Sequence, residues 1–371
     1  MIYPYTTEAD VFVRNSDLME GYEISALVSL RGSGHQNVSH SINGNSILVH
    51  EDFEKALEEC TAILPVFYDP NREIIESEEK DMMFIGQRID EIIFSKIDKA
   101  VEHGKKIIIF NNGSKQAKIL IEKVPDDLQI CFQNIYSGKS DFAIKEMCHI
   151  ETPVVCVASA FEGLDKMNIL LALYRDLVQQ GYNTLAFGTV QGCEIWGINS
   201  WPDFMSDIKL NTTEKIIYLN NYIKMLEIQK KPDIILVGVP GGTAPFTNKA
   251  PLDFGEMFYK VIKANLPDYF ILSLPYAQYH DEDIEKWNKY YNVNFGIKIN
   301  SYNISPKVIL QQMTEQVNAA RYLTIDVDTV IKQITEITEN NVFCFADQES
   351  TKREIDRLLC QLEDYGELEA V

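Results

Sequence analysis

Short apolar runs alternate with amphipathic stretches along most of the chain. The runs KKIIIF (105–110), VVCVAS (154–159) and KPDIILVG (231–238) lack a regular alternation of polar positions. Such runs predict strands that are covered on both faces, as in parallel sheets. The stretches between them carry apolar residues at helical spacing. Strands that alternate with helices in this way predict an α/β fold with right-handed crossovers.

The first 150 residues predict an N-terminal α/β domain. The expected elements are strands at 22–30, from Ala62 and at 105–110, and helices at about 53–60 and 80–103. A boundary is expected near 137–152, where the turn-rich string SGKSD is followed by Pro153. Proline disfavours helix in the residue before it, so a new strand is expected to begin there.

Residues 151–304 predict a second α/β domain. Its expected strands include 154–159, 183–188 and the string FGIKINS (295–301), and its first helix is expected at about 164–180. Asn211 and Glu214 have the spacing of a capping box, which predicts the start of another helix. By the switch-point rule, ligands of such a domain bind in the loops beyond the carboxyl ends of its strands.

Residues 305–371 predict a helical segment that packs on the α/β domains. Ser305 and Pro306 form the pair expected at a helix start, as the N-cap and the first helical residue. A further helix is expected after Asp326, and a last helix at about 350–364. The last helix either covers its own domain or pairs with a second copy, which leaves a homodimer open.

The loop after the strand at 154–159 keeps part of a phosphate-binding motif. A complete phosphate loop reads G-x-x-x-x-G-K-[ST], in which the lysine reaches the outer phosphates and the hydroxyl holds Mg²⁺. Here Ala158 stands in place of the first glycine and Gly163 keeps the second. Lys166 comes two positions late and is followed by Met167. The predicted fold class is therefore α/β, with two Rossmann-like domains of parallel, helix-covered sheets, the second resembling a degenerate P-loop fold, plus C-terminal helices.

Three interpretations of this loop stay open. It is an ordinary turn in which Asp165 stabilises the helix dipole, a decayed phosphate loop kept as scaffold, or a working anion site of Ser159, Gly163 and Lys166. Glu162 and Asp165 oppose a triphosphate unless Mg²⁺ or Lys166 intervenes. In the third interpretation the cofactor is a nucleotide with Mg²⁺; otherwise the cofactor is unknown.

The long loop at 238–253 is the second candidate ligand site. Its glycines permit close backbone approach and its polar side chains supply donors, and a long loop after a strand is often functional. The candidate ligand-binding residues of this loop are Gly241, Gly242, Thr243, Asn248 and Lys249. A third loop, GINSWPDF, offers Trp196, Trp201 and Phe204 to line a pocket or bind a peptide, although aromatic residues in such loops are more often packed.

Two weaker patterns lie elsewhere. The string RGSGHQNVSHS (31–41) only partly matches a dinucleotide-binding fingerprint, because Asn37 stands where the third glycine belongs. His35, His40 and His50 lack metal-ligand spacing and are expected to be exposed loop residues. No Ser–His–Asp or Cys–His arrangement can be assembled, so the catalytic residues are unknown and no metal site is expected.

Composition excludes several classes of function. The 371 residues carry a formal net charge of −21, which repels nucleic acids and anionic membrane surfaces. The N-terminus lacks a signal-peptide pattern, and no apolar run is long enough to span a membrane. The seven cysteines form no C-x-x-C pair, so these features together predict a protein of the reducing cytoplasm.

Several strings, taken in order, resemble a family of bacterial peptide-maturation-system proteins. They are MIYPYTTEADVFVRN, YEISALVSLRGSGH, DFEKALEECTAILPV, GCEIWGINSWPDFM, TEKIIYLNNYIKMLE and KPDIILVGVPGGTAPF. The resemblance covers most of residues 1–300. It implies a role in the maturation of a ribosomally synthesised peptide, with a small Cys-rich precursor peptide and a radical S-adenosylmethionine enzyme as partners. It carries over no catalytic residues.

Two hypotheses follow from this resemblance. In the first, the protein is a non-catalytic accessory factor that binds the precursor peptide or the modifying enzyme. In the second, it is a nucleotide-dependent enzyme that activates or modifies the peptide through the degenerate phosphate loop.

Overall fold

The chain forms two compact units. The computed structural model of the protein describes residues 1–6, 9–35, 37–42, 45–67, 79–111, 114–133, 146–190, 192–337 and 341–368, so the SGKSD turn lies outside the described residues. The first unit contains residues 1–137 and 191–203, and the second contains residues 138–190 and 204–371. The three-part division expected from the sequence stays a prediction.

The first unit is built on a mixed sheet. Its strands are β1 (Ile2–Tyr3), β2 (Leu27–Val28), β3 (Ser39–Ile42), β4 (Asn45–His50), β5 (Ala62–Pro65), β6 (Lys106–Asn111) and β7 (Gln129–Gln133). Its helices are α1 (Asp10–Arg14), α2 (Phe53–Glu59), α3 (Glu79–Glu102) and α4 (Lys115–Lys123). Side chains from the sheet, α2 and α3 share an apolar core that includes Tyr3, Val28, Phe53, Leu57, Ile63, Ile93, Ile97 and Ile107.

The strand order of the first sheet is that of a Rossmann fold. The sheet runs β3-β4-β2-β1-β5-β6-β7. All neighbours pair in parallel except β3, which is antiparallel to β4 at one edge. Without β3, the parallel strands follow the order 3-2-1-4-5-6 of dinucleotide-binding domains. The strand order therefore reverses at β1.

The second unit contains a fully parallel sheet. Its strands are β8 (Val154–Ser159), β9 (Thr184–Phe187), β10 (Ile234–Gly238), β11 (Tyr269–Leu274), β12 (Ser301–Ile304) and β15 (Val342–Phe343). A separate antiparallel pair is formed by β13 (Lys307–Ile309) and β14 (Tyr322–Thr324). The helices are α5 (Lys166–Gln179), α6 (Thr212–Lys230), α7 (Glu256–Ala264), α8 (Asp281–Phe295), α9 (Gln311–Val317), α10 (Val327–Ile334) and α11 (Gln348–Leu368).

The second sheet runs β15-β12-β11-β8-β10-β9. From β8 the chain moves outward to β9, returns to β10 beside β8, and then crosses to β11 on the other side. The residues of β8, β10 and β11 are all buried, as the continuous apolar runs predict. The carboxyl end of β8 therefore lies at the switch point, where ligands of open α/β sheets bind.

The predicted fold class is confirmed. At the level of single elements, the strand at 154–159 has its predicted bounds, and the capping box of Asn211 and Glu214 is present at the start of α6. None of the helices in the described part of the chain combines the length and the apolarity that a membrane crossing requires.

Two predicted elements were wrong. The strand expected at 295–301 begins only at Ser301, because α8 continues through Phe295 and pairing with β11 starts at Ser301. The helix expected to start at Ser305 and Pro306 is instead strand β13. The segment after residue 304 therefore contains strands as well as the predicted helices. The hydroxyl of Ser305 donates to the carboxylate of Asp165 at 2.5 Å, so a partner distant in sequence overrides the local capping pattern.

Candidate functional site

The loop between β8 and α5 has the strand–loop–helix layout of a phosphate loop. β8 ends at Ser159 and α5 begins at Lys166. Asp165 directly precedes the helix, and its backbone has a left-handed conformation with φ of 44°. Its side chain makes no capping hydrogen bond to the helix. The predicted interaction of Asp165 with the helix dipole stays a prediction, and the hydrogen bonds of its carboxylate go to more distant residues.

Lys166 is buried and its ammonium group is bound by neighbouring residues of the second unit. The Lys166 side chain is 4% exposed. Nζ donates to Oε2 of Glu162 at 2.6 Å and to the carbonyl oxygen of Gly241 at 2.5 Å. Hydrogen bonds from a charged donor are among the stronger ones in proteins. The lysine that a phosphate would need therefore links two loops of the protein.

Asp165 and Gly163 are held by the segment that carries β13. Nζ of Lys307 lies 3.1 Å from Oδ1 of Asp165 and donates to the carbonyl oxygen of Gly163 at 2.7 Å. The hydroxyl of Ser305 donates to Oδ2 of the same aspartate. Each carboxylate oxygen of Asp165 is thus bound by a residue of this one segment, Oδ1 by Lys307 and Oδ2 by Ser305.

Tyr322 of β14 covers the loop glycine. Its hydroxyl donates to the carbonyl oxygen of Glu162 at 2.6 Å. Gly163 has φ of 88°, and a Cβ atom there would lie 3.1 Å from Cε2 of Tyr322. Burial raises the pKa of the Tyr322 phenol, and the carboxylates of Glu162 and Asp165 raise it further. The phenol therefore stays protonated and acts as a donor, and the antiparallel pair of β13 and β14 contacts this loop through Lys307 and Tyr322.

The loop after β10 packs directly on the loop after β8. The backbone N–H groups of Thr243 and Ala244 donate to the carbonyl oxygen of Ala160 at 3.0 and 3.1 Å. The buried hydroxyl of Thr243 donates to the carbonyl oxygen of Ser159 at 2.8 Å and also bonds the hydroxyl of Tyr291. Together with the bond from Lys166 to Gly241, these contacts join the two predicted ligand loops to each other.

Asp253 lies against the backbone of Gly241. A Cβ atom on Gly241 would stand 1.8 Å from Oδ2 of Asp253, and Gly241 has φ of 78°. Gly242 is also closely packed, since a Cβ there would lie 3.0 Å from the backbone carbonyl oxygens of Ala160 and Asp253. Although Asp253 as a whole residue is exposed, burial of its carboxylate raises its pKa, and the charge of Lys166 opposes that shift.

Two positions that hold Mg²⁺ in P-loop NTPases carry other residues in the described part of this site. In those enzymes a hydroxyl after the lysine and an aspartate of a neighbouring strand bind the metal ion. Met167 follows Lys166, and β10, which pairs with β8, ends in Gly238 followed by Val239. Among the described residues, the charged side chains at this loop are two bound lysines, Lys166 and Lys307, and carboxylates. This set does not match a Mg²⁺–triphosphate cradle.

The other predicted residues of these loops are dispersed. Ser159 is buried and its hydroxyl donates to the carbonyl oxygen of Phe161 at 2.7 Å. Asn248 and Lys249 are exposed, and Nζ of Lys249 lies 3.7 Å from Glu315. Sequence reasoning missed Asp253, Lys307 and Tyr322, because no motif marks residues that reach this loop from other parts of the chain.

The three aromatic candidates occupy different environments. In the first unit, Trp196 is 2% exposed, stacks on Phe12 with ring centroids 4.9 Å apart, and donates its indole N–H to the carbonyl oxygen of Asn15. Trp201, in the same unit, is half-buried. In the second unit, Phe204 packs edge-on against Tyr218 and Tyr222. Trp196 is therefore a core residue, and Trp201 retains accessible surface.

Comparison with known proteins gives a fold and no family. No protein-family model and no curated protein matches the chain. Among solved structures, a DUF1611 family protein from Anabaena variabilis is similar over 94% of each chain, with a TM-score of 0.56 and 10% identity. The hydrogenase maturation factor HypB from Archaeoglobus fulgidus matches 56% of this chain and 88% of its own, with a TM-score of 0.30 and 14% identity. Chloroplast FtsY from Physcomitrella patens matches 61% of this chain and 67% of its own, with a TM-score of 0.27 and 13% identity. The chain is thus similar in fold to the DUF1611 protein over nearly its whole length.

Proposed function

We propose that this protein is a cytoplasmic accessory factor in the maturation of a ribosomally synthesised peptide. It binds the precursor peptide or the enzyme that modifies this peptide. In the family that the sequence resembles, that enzyme is a radical S-adenosylmethionine enzyme. The peptide and the enzyme come from that resemblance alone. The choice of a binding role over a catalytic one comes from the site.

The observation that carries this choice is the state of Lys166. Its ammonium group already has two close acceptors, Glu162 and the carbonyl oxygen of Gly241. A phosphate would have to displace both and would then face the Glu162 carboxylate. Such a rearrangement would break two buried hydrogen bonds of a charged donor, which is unfavourable. This cost favours a structural role for the loop.

Binding of the precursor peptide is the direct test. The full-length protein is titrated with a synthetic Cys-rich precursor peptide of the kind that the resemblance implies, with tryptophan fluorescence as the readout. We expect saturable binding that Trp201→Ala weakens by about tenfold, equivalent to about 1.4 kcal/mol. Trp201 is chosen because it is half-buried and a peptide can reach its exposed part.

Trp196→Phe is the matched control. It removes an indole that is already packed on Phe12 and bonded to Asn15, so it should lower stability and leave peptide affinity unchanged. If neither the peptide nor the purified radical S-adenosylmethionine enzyme binds at about 100 µM, the accessory role is refuted.

The second candidate is a nucleotide-dependent enzyme of the same pathway. One observation favours it, namely that the loop with Gly163 and Lys166 lies at the switch point of a fully parallel sheet, where ligands of such folds bind. This candidate requires nucleotide binding that depends on Lys166, which a thermal melt measures.

A further inference from the structure

The carboxyl edge of the first sheet has the topology of a ligand site. The parallel strands follow the order β4-β2-β1-β5-β6-β7, and that order reverses at β1. In open α/β sheets the crevice beyond the strand ends at such a reversal is where ligands bind. The residues that follow β1 and β2, together with the last residue of β4, therefore lie where a ligand is expected.

A hydrogen-bonded trio stands at this edge. The hydroxyl of Tyr5 lies 2.5 Å from Oδ1 of Asp10 and 2.8 Å from Nε2 of His40. Nδ1 of His40 is 3.9 Å from the same Asp10 oxygen. Burial raises the pKa of Tyr5, and its bond to Asp10 raises it further. The phenol therefore stays protonated, donates to Asp10 and accepts from His40.

The trio is accessible at two of its members. Tyr5 is 3% exposed, whereas the side chains of Asp10 and His40 are 30% and 17% exposed. Tyr5 is packed edge-on against the ring of His35, with centroids 5.8 Å apart. A buried phenol thus orients a carboxylate and an imidazole that a ligand can reach, which corrects the expectation that His40 is a plain exposed loop residue.

Three buried polar atoms at the same strand ends have no hydrogen-bond partner among the described residues. They are Oγ1 of Thr6, Oγ of Ser29 and Nδ1 of His50. Ser29 is 2% exposed. Its N–H donates to the carbonyl oxygen of His50 at 2.9 Å, and the N–H of Tyr5 donates to Val28 at 2.7 Å, so these residues are neighbours across β1, β2 and β4.

Such atoms are costly to a fold, because a buried polar group without a partner loses its hydration and gains nothing. Native proteins satisfy nearly all of them, and an exception calls for an explanation such as a bound water, ion or ligand, strain, or a catalytic role. Three exceptions at one strand edge, at the point of order reversal, form the second observation that points to a ligand.

The chemistry of the edge favours an uncharged, hydroxyl-rich ligand. Hydroxyl groups and a neutral imidazole can each donate or accept, and a carboxylate accepts from adjacent hydroxyls. The N–H of Gly32, in the glycine turn after β2, is already bonded to Glu51 at 2.9 Å. Arg14 lies 3.6 Å from Asp10. A phosphate would have to rely on Arg31, which is exposed on the turn.

We propose that this edge binds a small uncharged ligand with adjacent hydroxyl groups, such as a sugar or a nucleoside. Asp10 and His40 contact it from the accessible side, and the hydroxyls of Thr6 and Ser29 and the imidazole of His50 supply the inner hydrogen bonds. Tyr5 is a positioning residue that holds Asp10 and His40. This site is independent of the proposed peptide binding and of the loop at Lys166.

The test is an NMR titration of the full-length protein labelled at histidine ¹³Cε1, with adenosine and D-ribose as probes. The chain contains six histidines, and the signals of His40 and His50 are assigned with His40→Gln and His50→Gln. We expect saturable shifts of these two signals. Ser29→Ala should weaken binding by about tenfold, and Tyr5→Phe should weaken it while moving the His40 signal of the ligand-free protein, because the Tyr5 hydroxyl contacts Nε2 of His40.

Lys166→Met is the matched control, because Lys166 belongs to the second unit and its loss should leave the adenosine shifts unchanged. The proposal is overturned if neither probe shifts the two signals at about 5 mM, or if the shifts survive both Ser29→Ala and Tyr5→Phe. Binding of AMP that is more than about tenfold tighter than binding of adenosine and is lost in Arg31→Ala overturns the uncharged ligand class.

Discussion

The carboxyl edges of the two sheets differ in how their polar groups are satisfied. At the second sheet, the loop that resembles a phosphate-binding motif is closed by its own neighbours. Lys166 bonds Glu162 and Gly241, Asp165 is held by Lys307, and Tyr322 covers Gly163. At the first sheet, where the motif match is weak, three buried polar atoms have no partner among the described residues.

A phosphate-binding motif and an available binding site are therefore separate properties of this molecule. A lysine in a loop binds phosphate only if its ammonium group is free or can be freed at low cost. A buried hydroxyl without a partner is costly to keep, and this cost is one of the observations behind the ligand site that we propose at the first sheet. We therefore assign a structural role to the loop between β8 and α5, which has the motif. We assign ligand binding to the carboxyl edge of the first sheet, where the motif match is weak.

Removal of the buried lysine should have the largest effect on stability. Lys166→Met keeps most of the apolar stem and deletes the donor to Glu162 and to Gly241. Because hydrogen bonds to charged groups contribute about 1.5–3 kcal/mol, we expect a loss of about 2–3 kcal/mol in the free energy of unfolding, measured by urea denaturation. A loss below about 0.5 kcal/mol would indicate a lysine that is free for phosphate.

Loss of the buried hydroxyl of Thr243 should cost less. Thr243→Val keeps the shape and removes the bonds to Ser159 and Tyr291, so we expect a loss of about 1–2 kcal/mol in the same measurement. Thr247→Val is the control, because that hydroxyl, which accepts from the N–H of Ala250 and bonds the carboxylate of Glu315, is only half-buried. An equal effect of the two changes would show that burial of Thr243 adds nothing.

The first sheet should respond in the opposite direction. Ser29→Ala removes a buried hydroxyl that has no partner among the described residues. Without ligand, we expect the free energy of unfolding to stay the same or rise by up to about 1 kcal/mol, again by urea denaturation. A loss of about 1 kcal/mol or more would mean that the hydroxyl is satisfied inside the protein, and the contrast between the two edges would disappear.

The pH dependence at Asp253 should give the smallest effect. Burial raises the pKa of this carboxyl in the fold above its ordinary value of 3.8. The folded state then binds the proton more tightly than the unfolded state, so this group lowers stability as pH rises through its folded pKa and has no effect below 3.8. We expect Asp253→Asn to raise the midpoint of thermal unfolding slightly at pH 7. That gain should shrink toward pH 4, and a gain that grows as the pH falls would contradict the raised pKa.

Sequence patterns predicted the elements that are specified by an uninterrupted apolar run or by residues close together in the chain. The apolar run of β8 and the capping box of Asn211 and Glu214 were both confirmed. The pattern at Ser305 and Pro306 failed because the Ser305 hydroxyl bonds Asp165, which is 140 positions away. Capping rules describe competition among near neighbours and contain no information about such a partner.

The state of the candidate site was less predictable than its position. The sequence shows Lys166 after a strand, and this placement at the carboxyl edge is what the structure has. It cannot show that the acceptor is the backbone carbonyl of Gly241, 75 positions later, since any residue supplies a carbonyl. The trio of Tyr5, Asp10 and His40 was missed for the same reason, because Tyr5 and His40 are 35 positions apart.

A thermal melt of the full-length protein with ATP or GTP, each with and without Mg²⁺, tests the central claim most directly. A ligand at about 100 times its dissociation constant stabilises by about 2.7 kcal/mol, which raises the midpoint of a unit of about 200 residues by about 5–10 °C. Because Lys166 is already bound within the protein and Met167 stands where a phosphate loop has its Mg²⁺-binding hydroxyl, we predict no shift with either nucleotide. A shift of that size that requires Mg²⁺ and is lost in Lys166→Met would contradict it and make the loop a working nucleotide site.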